Sequence, residues 1–122
     1  ICFPRNIINY SDYTKIVNSL FLRFDFLVLP AAQMFPFDKN LPFPKKLGTM
    51  EFDTYHRWLE VVILSSLFSL PTVTVPVGFN ETGLPMGMQI IAKKGDDLNL
   101  IAFAKRYEEL FRLSKFKPKN LD

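Results

Sequence analysis

The segment LPTVTVPVGFNETGLPMGMQ, residues 70–89, constrains the fold most, because it contains two strand-like runs on either side of a turn. Side chains alternate with period two over residues 72–76 and again over residues 86–90, which is typical of strands. Between the runs lie residues that favour turns, namely Asn80, Glu81, Thr82 and Gly83. The pattern predicts two neighbouring strands joined by a tight connection.

Two further elements are predicted ahead of this segment. Apolar side chains recur every three or four residues from Tyr13 to Phe24, which indicates one face of a helix with Ser11 as its N-cap. Residues 26–29 form a continuous apolar run that stops at Pro30. Such a run is typical of a strand that is buried on both faces inside a larger sheet.

Two helices are predicted on either side of the strand pair. Residues 51–68 are apolar on nearly every side, which indicates a mostly buried helix that can divide into two before Pro71. Asp96 or Asp97 is expected to cap a last helix. Its apolar positions repeat at helical spacing: Leu100, Phe103, Ala104, Tyr107, Leu110 and Phe111.

The remaining segments are expected to be irregular. Four prolines and a glycine in residues 30–50 predict a loop without regular elements, because proline lacks an amide donor. The polar residues 115–122 predict a frayed tail. The order of elements favours an α/β class, with a mixed sheet covered by helices in layers.

Composition limits the other possibilities. A chain of 122 residues with 48% hydrophobic residues can form one domain or part of one. The net charge of +3 is scattered, which gives no support to nucleic-acid binding, and the apolar residues 61–70 are too short to span a membrane. The single cysteine, Cys2, fits a reducing compartment, and a start without Met suggests that the chain begins at a cut.

No catalytic constellation is predicted from the residues themselves. The glycines do not lie in a Gly/Ser-rich turn, and Ser65, Ser66 and Ser69 are interpreted as small residues at a packing contact. His56, the only histidine, is interpreted as a partly exposed structural residue, and Cys2 is too distant in sequence to complete a zinc pattern. No metal or cofactor is therefore expected.

Residues 70–89 are similar to a segment of the amidase-signature family that is written as LP, a short strand, VPxGF and then GLPxGxQ. In this resemblance Pro76 ends the first strand, and Gly78 and Gly83 shape the connection. The similarity extends to DFLVLPAA, TYHRWLEVV and DDLNLIAFAKRYEEL, which begin at residues 25, 54 and 96. Ser66 and Ser69 depart from the Asn and Gly that many members have there.

The resemblance implies the C-terminal part of a single layered α/β/α domain. It implies an amidase that hydrolyses carboxamide C–N bonds with a serine, a cis-serine and a lysine, all upstream of this chain. The chain alone is then expected to be inactive and to supply one wall of the substrate pocket from Trp58, Val62 and Ser65. The expected substrate is a small-molecule amide in a cytoplasmic enzyme that could form a homodimer, without a membrane or nucleic-acid partner.

Two alternatives remain open. One is a non-catalytic binding module with the same fold. The other is the transamidating subunit of a tRNA-dependent amidotransferase, which belongs to the same superfamily and shares the GLPxGxQ segment. The sequence TYHRW, which begins at Thr54, is closer in character to stand-alone amidases.

Overall fold

The computed structural model of the chain describes residues 10–116 and contains a three-stranded sheet between helices. The helices are α1 (Tyr10–Leu20), α2 (Tyr55–Trp58), α3 (Glu60–Leu67) and α4 (Asp97–Phe111), and a short 3-10 turn, Leu113–Lys115, follows. The strands are β1 (Phe26–Pro30), β2 (Lys46–Leu47), β3 (Met50–Glu51), β4 (Thr72–Phe79) and β5 (Pro85–Ala92). Most of the predicted tail, residues 117–122, lies outside the described residues.

The sheet has the strand order β1-β5-β4, and both pairings are antiparallel. Along β1 and β5, Phe26 lies opposite Ala92 and Pro30 lies opposite Met88. β4 and β5 form the pair of strands that the sequence predicts, and β1 adds the third strand on the far side of β5. The central strand is therefore β5, which carries the end of the GLPxGxQ segment.

Pro76 does not end β4, contrary to the prediction. The strand continues to Phe79, and its register with β5 shifts between Pro76 and Gly78, where the φ of Gly78 is 143°. The missing amide hydrogen is tolerated because β4 is an edge of the described sheet, where one side of the strand has no neighbouring strand that needs a hydrogen-bond donor. The Tyr107 hydroxyl of α4 donates to the Pro76 carbonyl at 3.1 Å, which holds this irregular part of β4 against the helix.

The connection between β4 and β5 is organised by Asn80. Its side-chain oxygen accepts from the backbone N–H of Thr82 at 3.1 Å and of Leu84 at 2.8 Å, and from the Thr82 hydroxyl at 2.8 Å. Gly83 has a φ of 82°, a conformation that costs a residue with a Cβ about 1–2 kcal/mol. The turn residues predicted from the sequence thus have distinct physical roles in closing the connection.

The two faces of β5 contact different helices. Ile90 and Ala92 belong to a core cluster that also contains Val75, Leu100 and Ala104. The alternate residues, Gln89 and Ile91, point to the opposite face, where Gln89 reaches α3 and Ile91 is fully buried. Helices on both faces of the sheet confirm the predicted α/β class.

β1 differs from the prediction of a strand buried on both faces. Within residues 10–116 it is the second edge of the sheet, and Val28 is 52% exposed. Pro30 is the last residue of the strand, whereas the prediction ended the strand at Leu29 and began the loop at Pro30. A continuous apolar run therefore identified the strand here but not its burial.

The predicted division of the helix over residues 51–68 is confirmed, with the break at Leu59. The first helix begins at Tyr55 rather than Glu51, which lies in β3. The side chain of Thr54 accepts from the Arg57 N–H at 3.3 Å and caps α2, so the helical conformation starts at the next residue, Tyr55.

The predicted loop over residues 30–50 contains one regular feature that the prediction excluded. β2 and β3 form a small antiparallel hairpin around Gly48, whose φ is 58°. The last proline of the loop is Pro44, so the residues after it all keep the amide donors that a hairpin needs.

Two helix starts also differ from the expectation. Ser11 lies inside α1, since Tyr10 is already helical, so it is not the N-cap. Asp96 occupies the N-cap position of α4, but its carboxylate accepts from the Asn99 side chain at 2.6 Å and not from the backbone. None of the helices in residues 10–116 combines the length and the apolar character needed to cross a membrane.

Candidate functional site

Gln89 joins the central strand to two other elements at a buried position. Its side chain is 2% exposed, and Nε2 donates to the Pro30 carbonyl at 3.0 Å and to the Val61 carbonyl at 2.7 Å. A primary amide has two N–H donors, so both are used. Gln89 therefore connects β5 with the end of β1 and with α3.

Gln33, which follows the end of β1, makes a second connection of the same kind. Its Nε2 donates to the Arg57 carbonyl at 2.9 Å and to the Trp58 carbonyl at 2.6 Å. These carbonyls lie in the last turn of α2, where the backbone acceptors of a helix extend past its end and need other donors. The amide of Gln33 thus caps the C-terminus of a helix that contains only four residues.

We refer to Gln33 and Gln89 together as the glutamine anchors. Gln33 holds the end of α2, whereas Gln89 holds the first turn of α3. The break at Leu59 lies between the Trp58 carbonyl, which Gln33 binds, and the Val61 carbonyl, which Gln89 binds. The anchors therefore hold α2 and α3, the helix pair, on the two sides of the break, and Gln89 also binds the end of β1.

Gly87 allows the chain to pack closely beside Gln89. A Cβ atom at Gly87 would lie 3.3 Å from the Ala31 Cβ and 3.3 Å from the Val75 carbonyl oxygen. The Ala31 N–H donates to the Gly87 carbonyl at 2.9 Å, so strand-like pairing continues past the end of β1. This close approach favours glycine at the second glycine position of the GLPxGxQ segment, which is Gly87.

Trp58, one of the three predicted wall residues, is partly buried among aromatic rings. Its ring meets the Phe37 ring edge-on at 5.5 Å between centroids and the Phe52 ring at 5.7 Å. Phe52 is buried, and Phe37 comes from the Pro-rich loop. Trp58 is therefore held at its ring by two phenylalanines and at its carbonyl by Gln33.

The other two predicted residues, Val62 and Ser65, lie on α3 beyond the break. They are three residues apart, so they are neighbours on one side of that helix. Val62 is partly buried, whereas Ser65 is buried and its carbonyl accepts from the Leu70 N–H at 2.9 Å. The structure thus places Val62 and Ser65 on one element and Trp58 on the preceding one, and their role as a pocket wall stays a prediction.

The glutamine anchors and the three predicted wall residues carry no formal charge. Trp58 and Val62 are partly buried and apolar, whereas the donors of both amides are bound to backbone carbonyls and Ser65 is buried. The set therefore offers mainly apolar area, which suits an uncharged apolar group. Among residues 10–116, no three His, Cys, Asp or Glu side chains are grouped so that they could hold a metal ion.

The residues set aside in the sequence lie outside this arrangement. His56 is exposed on α2 and its ring is 6.5 Å from that of Tyr55. Ser66 and Ser69 are exposed, which contradicts their interpretation as packing residues, and Ser69 has a φ of 51°. The packing interpretation holds only for Ser65.

Sequence reasoning missed Gln33, although Gln89 was part of the recognised motif. Gln33 is a lone polar residue in the apolar stretch PAAQMF. An amide inside an apolar stretch indicates that a hydrogen-bond partner is waiting in the fold. The partners themselves lie 24 and 25 residues away, and nothing in the local sequence identifies them.

Comparison with known proteins identifies the family. A family model described as Amidase matches residues 6–101, so the chain belongs to the amidase family. The chain is 33% identical over 103 residues to a subunit of the glutamyl-tRNA(Gln) amidotransferase of Rickettsia bellii, covering 83% of this chain and 19% of that protein. It is 28% identical over 117 residues to the fatty acid amide hydrolase of Medicago truncatula, covering 96% of this chain and 18% of that protein.

A solved structure supports the same assignment. The crystal structure of a bacterial aryl acylamidase, described as an amidase-signature enzyme, superimposes with a TM-score of 0.75 at 28% identity. The match covers 86% of this chain and 22% of the acylamidase. The predicted amidase-signature fold is confirmed, and the chain spans about a fifth of the length of its relatives.

Proposed function

We propose that this chain is the substrate-side, C-terminal part of an amidase that hydrolyses carboxamide C–N bonds. The observation that carries the proposal is the family match over residues 6–101, which includes the strand pair and the glutamine anchors. The catalytic serine, cis-serine and lysine would come from outside residues 1–122. The serine would attack the carbonyl, and the lysine would move the serine proton through the second serine to the amide nitrogen, so that the C–N bond breaks and ammonia or an amine leaves. Water would then release the acyl group from the serine as a carboxylic acid.

The part of the reaction assigned to this chain is binding of the acyl or aryl portion of the amide. Trp58 has the largest side chain on α2 and α3, and the phenylalanines beside it restrict its ring. A restricted aromatic ring binds an apolar group with little loss of side-chain entropy. The uncharged character of Val62 and Ser65 is consistent with the same kind of substrate.

The relatives include both hydrolases and part of an amidotransferase, so the test must separate these activities. The chain alone and a longer protein containing it would be incubated with a panel of alkyl and aryl amides, and ammonia release would be measured. We expect release by the longer protein and none by the chain above a heat-denatured control. Ammonia release by the chain itself would place the catalytic residues inside it.

Two other results would replace the proposal. Release of ammonia from glutamine and its transfer to a misacylated glutamyl-tRNA when ATP is supplied, with no hydrolysis of the alkyl and aryl amides, would favour the transamidating role. Amide binding without turnover by either protein would favour the non-catalytic binding module. Each result is read from the same two preparations.

The wall residues are tested by comparing a large and a small amide. Trp58→Ala is expected to raise the KM for an aryl amide roughly tenfold, equivalent to about 1.4 kcal/mol of lost contact, and to leave the KM for acetamide unchanged. His56→Ala is the matched control because His56 is exposed on the same helix. Equal effects of the two variants would remove Trp58 from the wall.

A further inference from the structure

We propose that Gln33 is a positioning residue that selects amides with a large apolar or aryl group by fixing the orientation of Trp58. This inference rests on the proposed function, since it assigns to Trp58 a place in the substrate pocket. Gln33 does not contact the reacting atoms in this account. It acts only through the end of α2.

Gln33 supports α2, which has only four residues. A helix of four residues is not stable by itself, because nucleation costs more than one turn of hydrogen bonds returns. Thr54 caps its start, and Gln33 supplies the donors for the carbonyls of its last two residues. Without Gln33 the backbone at Trp58 loses its only side-chain donor within residues 10–116.

The loop after β1 contacts Trp58 at two points, its backbone carbonyl and its ring. Gln33 binds the carbonyl of Trp58 at 2.6 Å, and Phe37 packs edge-on against its ring. The position of the loop and the orientation of the indole are thereby coupled. Loss of the Gln33 hydrogen bonds would release the loop and the ring together.

The two glutamine anchors hold different helices. Gln89 binds the carbonyl of Val61, which lies beyond the break at Leu59 and belongs to α3. α3 therefore keeps its attachment to the sheet when Gln33 is removed. The effect of a Gln33 substitution should be local to α2 and its tryptophan.

A double-mutant cycle in the longer enzyme tests whether Gln33 acts through Trp58. Gln33→Met keeps the side-chain volume but removes both donors, and it is expected to raise the KM for an aryl amide about three- to tenfold with kcat changed less than about twofold. In a Trp58→Ala background the same substitution should change that KM less than about twofold. The KM for acetamide should not change in either background.

Tyr107→Phe serves as the matched control for general destabilisation. It also removes a side-chain donor to a backbone carbonyl, but on the opposite face of the sheet. We expect it to leave the ratio of aryl-amide to acetamide KM unaltered. A ratio that shifts equally in Tyr107→Phe and Gln33→Met would reduce Gln33 to a structural residue.

Fluorescence gives a readout that does not depend on activity. Trp58 is the only tryptophan of the chain, and subtraction of the Trp58→Phe spectrum isolates its emission in any longer protein. Gln33→Met should shift this difference emission to longer wavelength and increase its quenching by acrylamide, whereas Tyr107→Phe should not.

The outcomes separate the inference from the proposed function. If the wild-type protein hydrolyses no amide, the proposed function fails, and fluorescence alone decides whether Gln33 orients Trp58. If the enzyme is active but Gln33→Met has the same effect with and without Trp58, the positioning role is overturned. An unchanged Trp58 emission in Gln33→Met would overturn it as well.

Discussion

Substitution of Gln89 by methionine tests how much the buried anchor stabilises the fold. Methionine has a similar volume and no donors, so the change removes hydrogen bonds to the carbonyls of Pro30 and Val61 without leaving a large cavity. Each bond contributes about 0.5–1.5 kcal/mol net, and both carbonyls lose a partner in a partly buried setting. The expected decrease in the free energy of unfolding is therefore about 2 kcal/mol.

Equilibrium urea unfolding of the longer enzyme would measure this decrease. The slope with urea rises with the surface exposed on unfolding and exceeds the about 1–3 kcal/mol per molar of small proteins, so the midpoint of the longer enzyme should fall by less than about 1 M. Gln33→Met is the comparison, because one of its hydrogen bonds is exposed and its carbonyl can bind water instead. We expect Gln33→Met to lower the midpoint by less than half as much.

A Gln89→Met free energy of unfolding within about 0.5 kcal/mol of the wild type would refute the reasoning. It would mean that water or a rearranged backbone satisfies both carbonyls, which a 2% exposed position should prevent. A larger loss for Gln33→Met than for Gln89→Met would also contradict it, since burial would then not determine the cost.

Three further predictions concern the strand pair, and urea midpoints measure all of them. Gly83→Ala should lower the free energy of unfolding by about 1–2 kcal/mol through backbone strain alone, because no atom lies within 4 Å of the added Cβ. An unchanged midpoint would show that the turn relaxes freely. Asn80→Ala should cost about 1–2 kcal/mol and Asn80→Asp much less, since aspartate keeps the acceptor; equal losses would argue against the acceptor role. Tyr107→Phe should cost about 1 kcal/mol by removing the donor to Pro76, and a neutral result would mean that water replaces the hydroxyl.

The strand pair could be predicted because its signals are local. Period-two alternation and turn residues act over a few positions, and the structure places strands and turn where the sequence predicts them. The continuation of β4 past Pro76 could not be predicted in the same way. Whether a proline is tolerated depends on its position at a sheet edge, and that is a property of the assembled sheet.

The helix pair formed by α2 and α3 was predicted only in part. Thr54 is a residue type that caps helices, so the start at Tyr55 had a sequence signal that apolar periodicity obscured. The break at Leu59 lies between the carbonyls that Gln33 and Gln89 bind, and both glutamines come from distant parts of the chain. Long-range hydrogen bonds of this kind leave no periodic pattern in a single sequence.

The candidate site divides along the same line. The family motif led to Gln89 and to the two consecutive helices that carry Trp58, Val62 and Ser65, because motifs record residues that are close in sequence. Gln33 and Phe37 lie in the Pro-rich loop, which the sequence described only as irregular. Their contacts with Trp58 became visible only once the loop was placed beside α2.

The central position of β5 also sets an order in which the sheet can assemble. β4 and β5 are joined by a short connection, whereas Gln89 of β5 and Pro30 of β1 are 59 residues apart in sequence. The entropy lost in closing a long loop makes distant pairing slower than local pairing. We therefore expect the β4–β5 hairpin to form early during folding and β1 to join later. Substitutions in β1 should then accelerate unfolding more than they slow folding.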